Sequence, residues 1–278
     1  MNNCDRYAVF GNPIKQSKSP AIHTLFAEQT GQSMQYRAVR VKLDDFERAT
    51  RDFFAGGGRG LNVTVPFKSE AYRLADALSE RADRAGAVNT LTRGEDGTVA
   101  GDNTDGVGIV RDMIVNLGWT IAGRKVLVLG AGGAVRGVLE LLLREQPQQL
   151  LVVNRTAQKA QQLAREFNEL GPMEGGGMEL IGQRDFDLII NATSAGLSGE
   201  MPELPSSLLN ERSCCYDMVY GAEPTAFMRW AAHHAAWAVA DGLGMLVEQA
   251  AESFYVWRGV RPETRPVIYR LREAMEAA

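Results

Sequence analysis

The chain is poor in cysteine, histidine and long apolar runs, and it carries no excess of positive charge. Each shortage closes a class of function. Cys4, Cys214 and Cys215 are odd in number and two are adjacent, which suits neither a disulfide framework nor the paired spacing of a zinc site. They are expected as reduced thiols in a strand. His23, His233 and His234 have no metal-ligand partners at useful spacing, so no metal is expected; His23 should pack behind the loop it follows, and the other two should lie on the surface or a helix. No stretch approaches the ~18 to 20 apolar residues of a membrane-spanning helix. The start of the chain, with Asp5 and Arg6 close behind Met1, lacks the apolar core of a secretion signal. A cytoplasmic protein without membrane partners is expected. A net charge of -4 argues against a nucleic-acid partner.

What is present reads as a globular α/β chain. With 278 residues, 45% hydrophobic and 23% charged, it is long enough for two domains, each with its own core. Short β-branched runs over 6–11, 35–41, 60–65 and 87–92 read as strands, and amphipathic stretches over 20–31, 44–54 and 67–78 read as helices between them. A helix over 106–117 leads into a second series. There the apolar runs 125–129, 150–153, 187–192 and 214–219 read as buried parallel strands. Residues 171–177 form a polar, glycine-rich stretch expected as a loop. After Asp241-Gly242 the pattern is helical, over 243–258 and, past Pro262, 263–277. Trp230, Trp237 and Trp257 lie in apolar stretches and are expected in the core.

The strand at 125–129 runs straight into Gly130-Ala131-Gly132-Gly133-Ala134 and then an amphipathic helix, the context a dinucleotide fingerprint requires. Gly130 permits the tight turn and Gly132 the close approach of backbone to a pyrophosphate, whose charge meets the free N–H groups of the following helix. Val135 stands where the third glycine of such a fingerprint would be. The next strand ends at Asn154-Arg155-Thr156, about 20 residues beyond the turn, where an NAD enzyme places an acid on the ribose hydroxyls. Here Arg155, with Lys159 one helical turn on, offers cations to a 2′-phosphate. The alternative is a solvated pair at a helix start, where cations oppose the helix dipole.

Four polar clusters interrupt the first half. Ser17-Lys18-Ser19-Pro20 puts hydroxyls before a helix, equally as ligands or as an N-cap at Ser19 with proline in the first turn. Asn62 and Thr64 share one strand face, which could be the wet side of a sheet, and Lys68 opens the next helix. Gly86-Ala87-Val88-Asn89-Thr90 and Gly101-Asp102-Asn103-Thr104-Asp105-Gly106 add an amide and carboxylates in loops, where turn chemistry is the plain alternative.

Taken in order, these segments, with Gly11 to His23, Asn191 to Gly196, Asp217 to Tyr220 and Asp241 to Ala250, resemble the shikimate dehydrogenases over nearly the whole chain. The resemblance implies an N-terminal α/β catalytic domain with a mixed, mostly parallel sheet, a Rossmann-type NADP-binding domain, and C-terminal helices packing back on the first domain. Its boundaries would be 1–105 with 242–278 for the catalytic, substrate-binding part and 106–241 for the NADP-binding part. It implies reversible NADPH-dependent reduction of 3-dehydroshikimate to shikimate, in the pathway to chorismate and the aromatic amino acids, by a monomer or homodimer. Lys68 and Asp105 would be the catalytic pair. Substrate would be held by Ser17, Ser19, Asn62, Thr64, Lys68, Asn89, Asp105, Tyr220 and Gln249. NADP would lie on Gly130, Ala131, Gly132, Gly133 and Ala134, with Asn154, Arg155, Thr156 and Lys159 at the adenosine end, Met218 and Gly242 near the nicotinamide, and Glu80 touching the cofactor. Two features depart from the family pattern: Pro224 precedes Thr225 where a Thr-Pro pair is usual, and Lys159 stands where many relatives have arginine. Alternatives are a quinate/shikimate dehydrogenase with relaxed cofactor use, a nucleotide-sensing relative without catalysis, and a flavin in place of the nicotinamide nucleotide.

Overall fold

The computed structural model describes residues 4–193 and 201–277. The chain divides into two compact units, one of Met1–Gly108 with Val247–Val267, the other of Ile109–Leu246 with Ile268–Ala278. In the first, β1 (Asp5–Gly11), α1 (Ser19–Thr30), β2 (Met34–Arg40), α2 (Phe46–Ala55), β3 (Gly58–Val63) and α3 (Lys68–Leu74) follow the expected alternation. The expected helix over 67–78 stops at Leu74, and β4 (Ala77–Leu78) follows at once. α4 (Glu80–Ala85), β5 (Thr90–Arg93) and β6 (Val99–Asp102) complete the series. The strand expected over 87–92 therefore begins late, at Thr90, because Asn89 belongs to the loop before it.

The six strands form one sheet in the order β2-β1-β3-β5-β6-β4. β5 runs antiparallel to both neighbours, while the remaining pairs are parallel. Successive side chains alternate between faces. Ala8 and Phe10 of β1 pack with Leu61, Val63, Phe46 and Phe67 on one face, and Tyr7 and Val9 with Tyr36 and Ile14 on the other.

In the second unit, a π-helical turn (Asp112–Asn116) takes the place of the last turn of the helix expected over 106–117; the regular part, α5, is Asp105–Arg111. Then come β7 (Lys125–Leu129), α6 (Gly133–Arg144), β8 (Gln149–Val153), α7 (Ala157–Phe167), β9 (Met173–Gly176), β10 (Phe186–Asn191), β11 (Leu209–Asp217), α8 (Ala226–His233) and β12 (Ala238–Ala240). All pairings are parallel, in the order β12-β11-β10-β7-β8-β9. That is the doubly wound Rossmann order, with its switch point between β7 and β10. Val126, Val128, Leu150, Val152, Leu188 and Ile190 fill one face, and Leu127, Leu129, Leu151, Val153 and Ile189 the other.

Two expectations fail here. The glycine-rich stretch 171–177 is not a loop: Met173–Gly176 pairs with β8 as an edge strand. Its glycine is structural, since a Cβ on Gly175 would stand 2.1 Å from the Ala160 carbonyl of α7. Trp237 is 66% exposed rather than in the core, because it enters the short edge strand β12. Cys214 and Cys215 are buried in β11, and burial raises their thiols to about 11 and about 12. Cys4 instead lies exposed at the start of the described chain. The final helices are α9 (Leu243–Arg258) and α10 (Arg265–Glu276). Among the described residues no helix is long and apolar enough to cross a membrane.

Candidate active site

Four chain segments meet where β1, β3 and β6 end and β5 begins, at one end of the strands of the first sheet, and topology explains why. β1 and β3 are parallel and end there, β5 is antiparallel and begins there, and β6 ends there again. The residues that follow β1 and β3, precede β5 and follow β6 are Ser17 to Ser19, Thr64 to Lys68, Asn89, and Asn103 to Asp105. One reversed strand thus gathers residues far apart in sequence.

At the centre, Lys68 Nζ donates to Asp105 Oδ2 at 2.5 Å, and Asn89 Nδ2 donates to Asp105 Oδ1 at 2.8 Å. The side chains are 27% exposed for Lys68 and 10% for Asp105, so the lysine faces outward from a largely dry carboxylate. A charge-assisted bond in such surroundings is strong and well aimed. Asp105 itself is placed by its loop. Arg81 grips Asp102 with two bonds, Ser79 adds a third, and Asn103 both donates to the Ala87 carbonyl and accepts the Asp105 N–H. Arg81 is held in turn by Glu252 of α9. Arg81, Ser79 and Glu252 had no role in the sequence reading, because nothing local to them marks a link across so many residues.

The other expected substrate residues divide by what their polar atoms already do. Thr64 is half-buried, and the missing side chain at Gly11 is what lets it approach β1; a Cβ there would stand 2.5 Å from the Thr64 methyl. Ser17 and Ser19 are half-buried, and the helix N-cap is Lys18 rather than Ser19, whose own N–H goes to Ser17 Oγ. The capping alternative for Ser19 therefore fails. Gln249 reaches Asn89 Nδ2 at 3.5 Å. Asn62 differs: it is 7% exposed, accepts from the Tyr36 hydroxyl at 2.7 Å, and donates toward the Asn89 carbonyl, Thr90 and Ser253. The polar strand face at Asn62 is an interior network, not the wet side of a sheet.

In the second unit the glycine turn follows β7 at the switch point. Gly130 has φ +109°, and a Cβ there would stand 3.1 Å from the Ala192 carbonyl, so only glycine fits. Gly132 caps α6 without a side chain, and a Cβ on Gly132 or Gly133 would meet nothing within 4 Å. Ala131 is half-buried and Ala134 exposed. An open cradle of backbone N–H groups at a twelve-residue helix is the fit test for a pyrophosphate, and the turn passes it. Val135, in the place of the third glycine, is fully buried in the helix–sheet core. Beyond β8, Asn154 Nδ2 donates to the Thr156 carbonyl. Arg155 and Lys159 are exposed and have no ion-pair partner among the described residues. Two unpaired cations there fit a 2′-phosphate.

Met218 and Gly242 are in direct contact, since a Cβ on Gly242 would stand 2.3 Å from the Met218 carbonyl oxygen. Buried Asp217 anchors this corner by accepting from Asn191, the Val219 N–H and Thr225. Burial raises its pKa. The displaced Thr225 has a use here, as N-cap of α8. The hydroxyl of Tyr220 is raised by burial first and by Asp241 second. Arg272 of α10 bonds both the Gly221 carbonyl and Asp241. Glu80 opens α4 in the first unit, exposed and paired with Arg84. Of the Asn191–Gly196 segment, Ser194 onward lies outside the described residues. Among the described residues no group of three or more His, Cys, Asp or Glu could hold a metal.

A lysine–carboxylate pair on one unit and a Rossmann sheet with an open glycine turn on the other define an oxidoreductase of the dinucleotide-dependent class. The comparisons narrow it. Residues 9–91 match the shikimate dehydrogenase substrate binding domain, 113–198 the shikimate / quinate 5-dehydrogenase family, and 242–271 the shikimate 5′-dehydrogenase C-terminal domain. The shikimate dehydrogenase (NADP(+)) of Cellvibrio japonicus is 58% identical over 98% of this chain and 98% of its own. Among solved structures, an Ael1 enzyme from Pseudomonas putida superposes with TM-score 0.91 at 46% identity, covering 96% of this chain and 98% of its own. The shikimate 5-dehydrogenase of Thermus thermophilus in complex with NADP(H) and shikimate superposes with TM-score 0.85 at 33% identity, covering 97% and 99%. This chain belongs to the shikimate dehydrogenase family.

Proposed function

We propose that the chain reduces 3-dehydroshikimate to shikimate, reversibly, with NADPH. The Lys68–Asp105 pair carries the reading. Reduction of a ketone places negative charge on its oxygen, which needs a donor aimed at it as the charge develops and then a proton. The Lys68 ammonium has three N–H groups; Asp105 Oδ2 accepts one, leaving others for the substrate oxygen. Asp105 fixes the direction of Nζ. NADPH, when bound, supplies the hydride.

Substrate hydroxyls and carboxylate would be held by Ser17, Ser19, Thr64 and Gln249, with Tyr220 a further candidate. Asn89 contributes by holding Asp105, and Asn62 by holding the frame behind it. The nucleotide would lie on Gly130 to Ala134 through its pyrophosphate and on Asn154, Arg155, Thr156 and Lys159 through its adenosine end. Met218 and Gly242 would line the nicotinamide, and Glu80 is a candidate contact of the cofactor. We also propose a cytoplasmic enzyme acting as monomer or homodimer, in the route to chorismate and the aromatic amino acids.

A second substrate is worth testing because the matched family description names quinate beside shikimate. Nicotinamide absorbance, followed with shikimate and with quinate, each paired with NADP and with NAD, separates the readings. The shikimate–NADP rate should exceed the other three. Equal rates with NADP and NAD would overturn the cofactor assignment, and equal rates with both acids the substrate assignment.

A further inference from the structure

Behind the catalytic pair lies a buried polar network that the reaction does not touch. Thr90, Thr104 and Ser253 are all fully buried, which is costly for hydroxyl groups unless each finds partners. They do, and the partners are shared. Ser253 Oγ lies 2.8 Å from Thr90 Oγ1, 3.2 Å from Thr104 Oγ1 and 3.0 Å from Asn62 Nδ2, and it donates to the Gln249 carbonyl at 3.0 Å. One hydroxyl of α9 thus ties together β3, β5, the loop before Asp105, and the helical turn that carries Gln249.

The backbone fixes the orientation of the Asn89 amide within this network. Ser253 has one proton, which goes to the Gln249 carbonyl, and its two lone pairs accept from two of its three other neighbours at a time. Asn89 Oδ1 accepts the Thr104 N–H at 3.0 Å, which sets which end of the amide is oxygen. Its Nδ2 is then directed at Thr104 Oγ1 and at Asp105 Oδ1, at 2.9 and 2.8 Å. Thr90 Oγ1 lies 2.8 Å from both Asn89 Oδ1 and Ser253 Oγ and has one proton to share between them. With Oδ1 fixed by the Thr104 N–H and approached by the Thr90 hydroxyl, Asn89 has one orientation, and in it Asp105 Oδ1 receives an N–H while Oδ2 remains for Lys68.

We propose that Ser253 and Thr90 are positioning residues of the active site, which hold Asn89 in the one orientation that aims Asp105 at Lys68. The proposal rests on the reading of Lys68 and Asp105 as the reacting pair. It requires no contact with substrate or cofactor. Losing either hydroxyl should let the Asn89 amide turn and Asp105 drift, so the effect falls on turnover and not on nucleotide affinity.

Full-length Ser253→Ala, Thr90→Val, Thr90→Ser and Lys68→Ala test this, each checked for folding by its thermal midpoint. Thr90→Val keeps the shape and removes only the hydroxyl. It and Ser253→Ala should lower kcat for shikimate oxidation roughly tenfold, less than the ~100-fold that a 1 Å misplacement can cost. KM for NADP should stay within twofold, and Thr90→Ser, which restores the hydroxyl, should recover most of kcat. A purely structural role predicts instead a lower thermal midpoint with kcat intact in the folded fraction. Wild-type kcat in Thr90→Val and Ser253→Ala, with Lys68→Ala inactive, overturns the positioning proposal alone. An active Lys68→Ala overturns the reading beneath it. If Ser253→Ala fails to fold, Thr90→Val and Thr90→Ser decide.

Discussion

At the scale of single residues, His23 carries a consequence that its place in the sequence conceals. It is fully buried on α1, stacked on Tyr36 at 4.1 Å and 10°, and neither ring nitrogen has a hydrogen-bond partner among the described residues. Burial lowers its pKa to about 3, and the nearby Asn62 amide offsets this only in part. The histidine of the unfolded chain titrates near its ordinary value, about 6.5, whereas in the fold it stays neutral down to about 3. Below pH 6.5 the unfolded state therefore binds a proton that the folded state refuses, and stability is lost as pH falls through that window. The slope is about 1.4 kcal/mol per pH unit, so from pH 7 to pH 5 this group should remove roughly 2 kcal/mol. Urea unfolding of wild type and His23→Phe at both pH values isolates it. The wild type should lose the larger amount, and equal losses would mean His23 is not the source.

At the scale of elements, the glycine turn separates two roles that the motif runs together. Gly130→Ala forces a left-handed backbone on a residue with a Cβ and drives that Cβ toward the Ala192 carbonyl. Such strain costs about 1 to 3 kcal/mol, to be read from the denaturation midpoint. Gly132→Ala meets nothing in the protein, so its midpoint should stay near wild type. If the proposed pyrophosphate lies on this turn, the methyl would enter its space, and KM for NADP should rise tenfold or more, the order expected when about 1.4 kcal/mol of binding is lost. If KM is unchanged in Gly132→Ala, the pyrophosphate does not lie there.

The same elements show where sequence was legible. β7, β8 and β10 were readable because strands covered on both faces are continuous apolar runs, and the turn after β7 because glycine spacing carries a mechanism. β9 was not, since Gly175 serves contact with α7 and Gly176 contact with Leu180, and the pair leaves no alternation to read. β4 and β12, two and three residues long, are shorter than any periodicity. In the candidate site, Lys68, Asp105 and Asn89 stood out as polar residues at ends of strands. Ser253 and Arg81 did not, because what matters about them is distance across the chain: Ser253 meets Asn62 over 191 positions, and Arg81 meets Glu252 over 171.

At the scale of the whole molecule, the tail is divided where the sequence reading kept it whole. Val247–Val267 belongs to the first unit, while Ile268–Ala278 groups with the second. Arg272 shows how the second attachment is made. Its guanidinium binds Asp241 Oδ1 at 2.6 Å and the Gly221 carbonyl at 2.9 Å, so one side chain ties the residue before Gly242 to the residue after Tyr220. Asp241 is only 7% exposed, and losing its cation leaves a nearly buried carboxylate with the Leu243 N–H as remaining support. Arg272→Ala should therefore destabilise the protein by about 2 kcal/mol, the scale of a hydrogen bond to a charged group. Because Met218 packs on Gly242, the loosened corner should also raise KM for NADP several-fold. Asp241→Asn together with Arg272→Ala removes the unpaired charge as well as the pair, and should recover part of the stability but not the nucleotide affinity. Steady-state kinetics and urea midpoints of the single and double variants test both parts. A double variant no more stable than Arg272→Ala would show that the buried charge is not what costs, and an unchanged KM would free the Met218–Gly242 corner from a role in nucleotide binding.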